Sequence, residues 1–129
     1  MILEVCANSY ESAVNAENAG VQRVELCEKL SFGGITPNYN LAKKAISKLN
    51  IPVYVLIRPR AGDFNYSDKE FKKIKKDIVL FKNIGCNGIV CGVLTKDKNL
   101  DINRTSELIQ LSKPVDFTFH RAFDQVNNP

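Results

Sequence analysis

The sequence predicts an α/β fold in which parallel strands and helices alternate around a barrel, with residues 1–129 forming one partial domain of five strands and four helices. Three observations predict it. Short β-rich runs alternate with amphipathic helical stretches in the order β-α-β-α-β-α-β-α-β, and helical crossovers imply parallel pairing. The turn after the first run, Cys6-Ala7-Asn8-Ser9, has no glycine, so the phosphate-binding turn of a doubly wound nucleotide fold is missing. Finally, the strands alternate. Glu4 and Cys6 oppose Leu3 and Val5, and Arg23, Glu25 and Cys27 oppose Val24 and Leu26. A TIM-type barrel wants this pattern, because its outer face packs on helices while its inner face carries polar groups toward the carboxyl end.

The elements follow in order. Strands are expected over 2–6, 23–27, 52–58, 88–93 and 115–120, each bounded by turn residues. The first helix starts at Ser9, an N-cap, and stops at Gly20. The second is expected to start at Thr36-Pro37, with Leu41, Ala45, Ile46 and Leu49 at helical spacing. The third begins with the capping box Ser67…Glu70, carries the stripe Phe71, Ile74, Ile78 and Phe81, and ends at Gly85. The fourth runs from Asp101 to about Ser112, with Leu108, Ile109 and Leu111 expected inside and Pro114 as the stop.

Composition narrows the function classes. Apolar residues make up 44% and charged residues 25%, as in globular domains. No apolar run reaches the roughly 18–20 residues of a membrane span, and the opening MILEVCANSY has neither a basic n-region nor a cleavage site. A cytoplasmic location with four reduced cysteines is the expectation. The net charge is +4, and Lys72, Lys73, Lys75 and Lys76 fall in one helix whose intervening apolar residues have core spacing. A solvated outer face explains them, and no nucleic-acid partner is expected.

Polar residues collect at the strand ends. Glu4, Cys6, Glu25 and Cys27 come from the first two strands, Arg58, Arg60 and Asp63 from IRPRAGDF, and Thr118, His120, Arg121 and Asp124 from FTFHRAFD. Inward carboxylates need partners, and Arg58 is the obvious one. Two readings stay open for it. Glu25–Arg58 is a buried ion pair that fixes strand register, or Arg58 and Arg60 bind a small anionic ligand while Glu25 or His120 moves a proton. In the second reading Glu25, Arg58 and His120 are catalytic, and Glu4, Arg60, Asp63, Arg121 and Asp124 contact substrate. Cys6 and Cys27, expected at one level on adjacent strands, are candidate ligands for a soft ion such as Cu(I), or else small buried hydrophobes. Cys86 and Cys91 read as structural, and no organic cofactor is expected.

The segments ESAVNAENAGVQRVELCEKLSFGGITPNY, IPVYVLIRPRAGDFNYSD, GIVCGVLT and FTFHRAFD, in order over essentially the whole chain, resemble the CutC family, named for copper homeostasis. The resemblance implies a (β/α) barrel, a homo-oligomer (a dimer here) and a copper-handling role. It maps the family's cysteines onto Cys6 and Cys27, its arginines onto Arg58 and Arg60, its aspartate onto Asp63, and its H-R-A-F-D onto His120, Arg121 and Asp124. One departure is Ala61 in place of a family glycine. Another is length, since a full barrel takes about 250 residues. Either edge-to-edge packing with a second copy or a longer parent chain is therefore expected, the latter favoured.

Overall fold

The computed structural model describes residues Met1–Pro129. Five strands, β1 (Glu4–Ala7), β2 (Arg23–Leu26), β3 (Val53–Leu56), β4 (Gly88–Cys91) and β5 (Asp116–Phe119), pair in parallel in the order β1-β2-β3-β4-β5. The sequential order decides between the two parallel architectures. A doubly wound sheet reverses direction midway, whereas right-handed crossovers without reversal put every helix on one face and curve the sheet into a barrel arc.

Four helices cover that outer face: α1 (Tyr10–Asn18), α2 (Tyr39–Lys48), α3 (Asp68–Asn83) and α4 (Ile102–Ser112). Ser9 caps α1, and Gly20 leaves it at φ +91°, a conformation that only glycine adopts freely. Ser67 and Glu70 cap α3 reciprocally, and Gly85 ends it at φ +98°. Thr36-Pro37 does not start α2; Asn38 does, its Oδ1 accepting from Asn40 and Leu41. The Thr36 hydroxyl instead accepts from the Arg58 N–H at 2.9 Å, so it ties the second loop to the third.

The main core lies between sheet and helices. Val24, Leu26, Val53, Val55, Ile57 and Ile89 meet the stripe Phe71, Ile74, Ile78 and Phe81 of α3. Each large side chain buried there contributes about 1.5–3 kcal/mol. In α4 Leu108 is fully buried, but Ile109 is 38% exposed and points away from the core. Strand β1 begins at Glu4, later than its pattern suggested, and Leu3 is exposed rather than packed on helices. The inner face holds a smaller cluster, Cys27, Tyr54, Leu56 and Val90, which floors the site above it.

Candidate functional site

At the carboxyl ends of the strands a cavity of about 250 Å³ opens between Cys6, Glu25, Arg58, Phe64, His120 and Arg121. Each side chain arrives by strand parity or by the first residues after a strand. Cys6 and Glu25 are register partners on β1 and β2. Arg58 continues the inward series Tyr54, Leu56 beyond β3, and His120 continues Thr118 beyond β5.

Arg58 is only 4% exposed. Its guanidinium donates to the carbonyls of Phe32 and Gly34, both at 3.1 Å, and of Gly62 at 2.8 Å. It lies over the Phe64 ring at 4.9 Å. The expected ion pair with Glu25 is not formed: none of the seven salt bridges includes Arg58. Carbonyl dipoles take both Nη1 hydrogens and one on Nη2, Nε is buried without a partner, and the charge is left uncompensated. The Gly33-Gly34 pair makes this cradle. Gly33 sits at φ +85° under the Arg121 guanidinium, and a methyl group there would collide with it. Arg121 also has no ion-pair partner.

His120 caps a 3-10 turn over Arg121–Gln125, its Nδ1 accepting from the Ala122 N–H at 3.1 Å. Nε2 is buried without a partner. The ring stacks on Phe64, with 5.0 Å between centroids, and lies across Gly92, where a Cβ would meet its Cε1 at 2.6 Å. Burial, with the Arg58 charge adding to it, lowers the His120 pKa to about 4. The imidazole is therefore neutral near pH 7, and the occupied Nδ1 fixes the proton on Nε2.

The opposite wall is acidic. Glu25 accepts from the Cys6 thiol at 3.8 Å, and burial, reinforced by Glu4, holds its pKa above the usual carboxylate range. Burial first and Glu25 second push the Cys6 thiol up to about 11, and the same two causes push Cys27 to about 11. Cys6 is exposed and Cys27 is buried. The two are not opposed at one level: the register pairs Cys6 with Glu25 and puts Cys27 two residues further on. Cys27 remains near enough for its charge to count against a thiolate at Cys6. No group of three or more His, Cys, Asp or Glu side chains gathers to hold a metal ion. Two thiols suit Cu(I), which accepts soft ligands, but not zinc, which wants three or four protein ligands.

Four other predicted residues lie outside the cavity. Glu4 pairs with Arg23, whose guanidinium covers the Tyr54 ring at 4.4 Å. Arg60 is bound to Glu70 at 2.6 Å and to Asp63 at 3.0 Å, which fastens the loop after β3 to the start of α3. Asp63 is 67% exposed. Asp124 lines a separate shallow groove with Phe123 and Leu100. Below the cavity, Tyr54 lies across Gly88 and donates its hydroxyl to Asp116. Sequence reasoning missed Arg23, Tyr54, Asp116, Gly88 in β4 and Gly92 just beyond it, although parity had already put Arg23 on the face of Glu25.

The model of the CutC family matches residues 1–129. A CutC family protein of Pasteurella multocida is 49% identical over all of this chain and 53% of its own length. The human copper homeostasis protein cutC homolog is 48% identical over 99% of this chain and 47% of its own length. The crystal structure of CutC from Streptococcus agalactiae superposes with TM-score 0.89 at 34% identity, covering 98% of this chain and 62% of that one. A phosphonopyruvate hydrolase superposes with TM-score 0.59 at 15% identity over 95% of this chain and 45% of that one, a likeness of fold alone. The chain spans about half the length of these curated relatives. No helix is long and apolar enough to cross a membrane.

The chain belongs to the CutC family.

Proposed function

We propose that this CutC-family chain supplies the anion-binding wall of a barrel-mouth site and takes part in copper homeostasis, the role for which its human relative is named. One observation carries the pocket reading. Arg58 is almost completely buried, has only carbonyl partners and lines a cavity together with the unpaired Arg121 and His120, whose buried Nε2–H has no partner. Buried charge in a low-dielectric cleft focuses its field on whatever enters. The ligand is a small anion, and Glu25, held above the usual carboxylate range across the cavity, is the group suited to move a proton. His120, neutral with its proton fixed on Nε2, donates a hydrogen bond rather than acting as a base.

Copper at Cys6 and Cys27 is the second reading. It is favoured by two thiols on one inner face, one of them open to solvent. Both would have to lose protons that burial and Glu25 hold in place, so binding would strengthen as pH rises. A homo-oligomer is also part of this reading, on family membership alone.

Thermal melts in rising sulfate or acetate test the pocket, with Arg121→Met as the control. A saturable rise in melting temperature that Arg121→Met loses is expected. An identical response in both proteins would refute the pocket. Competition against a Cu(I) chelator tests the second reading, and unchanged affinity in the Cys6→Ser, Cys27→Ser double variant would remove those two ligands.

A further inference from the structure

We infer that the cavity between Glu25 and Arg58 takes a 2-hydroxycarboxylate, a small carboxylate with a hydroxyl on the adjacent carbon. The inference rests on the anion-pocket reading and extends it to the rest of the bound molecule.

Four groups with unused hydrogen-bonding capacity line this one cavity. Arg58 and Arg121 are cations without carboxylate partners. Their planar forks match a carboxylate. Glu25 accepts the weak thiol donor of Cys6, at 3.8 Å, and otherwise meets the carboxyl group of Glu4. His120 offers Nε2–H, because its Nδ1 lone pair is already taken by the Ala122 N–H.

The cavity thus asks three things of a ligand: negative charge for the arginines, an acceptor for His120 and a donor for Glu25. A hydroxyl beside a carboxylate meets the last two with one atom, since it donates and accepts together. A carbonyl in its place only accepts, and would turn oxygen lone pairs toward Glu25. An ammonium only donates, and leaves the His120 N–H unmet. A phosphate satisfies the arginines but sets about −1.5 charges against Glu25, where a carboxylate sets one. Buried groups left unpaired are what make such a site reject close analogues. The volume of about 250 Å³ suits a molecule of few carbons. The low pKa of His120, about 4, keeps the ring in its donor form at neutral pH.

Calorimetric titration of the chain with lactate, propionate, pyruvate, alanine and inorganic phosphate tests this. Lactate is expected to bind at least about tenfold more tightly than the other four, the discrimination typical of one unpaired buried group. His120→Ala should cut lactate affinity about tenfold and leave propionate within about twofold, and His120→Gln, which restores a donor, should recover part of the loss. Nitrogen NMR of the parent needs no variant: lactate should shift the protonated Nε2 resonance, and propionate should not. If lactate binds no better than propionate, or pyruvate, alanine or phosphate binds best, the hydroxyl inference falls and the anion pocket stands. If none of the five binds, both fall.

Discussion

Replacing Arg58 with methionine opposes two large terms whose sizes can be worked from the structure. Methionine keeps the apolar stem against Phe64 but loses the donors to Phe32, Gly34 and Gly62. Hydrogen bonds to a charged group contribute about 1.5–3 kcal/mol each, so three are worth about 5–9 kcal/mol. Against this, the variant no longer buries a cation without a counter-ion, which relieves several kcal/mol. A net destabilisation of about 2–4 kcal/mol remains, because three carbonyls hold the guanidinium and two of them come from one turn, although Nε has no partner to lose. Urea unfolding of the parent, Arg58→Met, Arg58→Lys and Arg121→Met measures it. The midpoint should fall for Arg58→Met at unchanged slope, fall for Arg58→Lys, which keeps the charge but loses the fork, and move by no more than about 0.5 kcal/mol for exposed Arg121→Met. An Arg58→Met protein as stable as the parent, or more so, would mean that desolvation outweighs the carbonyl cradle, and the account of the buried cation given above would be wrong.

Gly92→Ala puts a methyl group 2.6 Å from His120 Cε1 and 2.7 Å from Nδ1; a destabilisation of about 1–3 kcal/mol is expected from overpacking, with loss of the Ala122–His120 hydrogen bond, and an unshifted His120 resonance in the variant would contradict it. His120 titrates at about 4 when folded against 6.5 for the free side chain. The unfolded chain therefore binds the extra proton between those values, and stability is full above about pH 6.5 and falls as pH drops toward 4, by about 3 kcal/mol at most. His120→Gln should flatten that part of the acid-unfolding profile, and a slope equal to the parent's would show that His120 protonates freely. The Cys6 thiol, at about 11, should be alkylated by iodoacetamide at a rate that rises about tenfold per pH unit from 7 to 10. A plateau near pH 8.5 would show an ordinary thiol.

The barrel arc was legible because it rests on local rules. Ser9, Ser67 and Glu70 cap where their side chains reach the backbone, and the α3 stripe is buried as its spacing requires. Parity also put Glu25, Arg58 and His120 on one face. What it could not supply was partner choice among inward charges. Arg58 was the obvious mate for the carboxylates, yet Arg23 takes Glu4 and loop carbonyls take Arg58. That outcome depends on how the Gly33-Gly34 turn folds over the sheet, a long-range event with no periodicity to announce it. Arg60 misled for a related reason: positions 58 and 60 share strand parity and suggested a paired clamp, but β3 ends at Leu56, the chain turns through Pro59, and Glu70 at the start of α3 takes the Arg60 guanidinium.

The quietest strand does most to arrange the site. On its inner face β4 presents Gly88 and Val90, and Gly92 follows in the same parity. Neither glycine has a positive φ, so backbone freedom does not explain them. Space does. A Cβ on Gly88 would meet the Tyr54 ring at 2.6–2.8 Å, and one on Gly92 would meet the imidazole of His120 at 2.6–2.7 Å. One ring leans in from β3, the other from beyond β5, and each crosses β4 where the strand has no side chain. The lower crossing lets Tyr54 reach Asp116 on the far neighbour, two strands away. The upper one turns the occupied Nδ1 of His120 toward its own turn and leaves the protonated Nε2 without a partner inside the protein. A strand that contributes no functional group thus sets the direction of the hydrogen bond on which ligand discrimination depends.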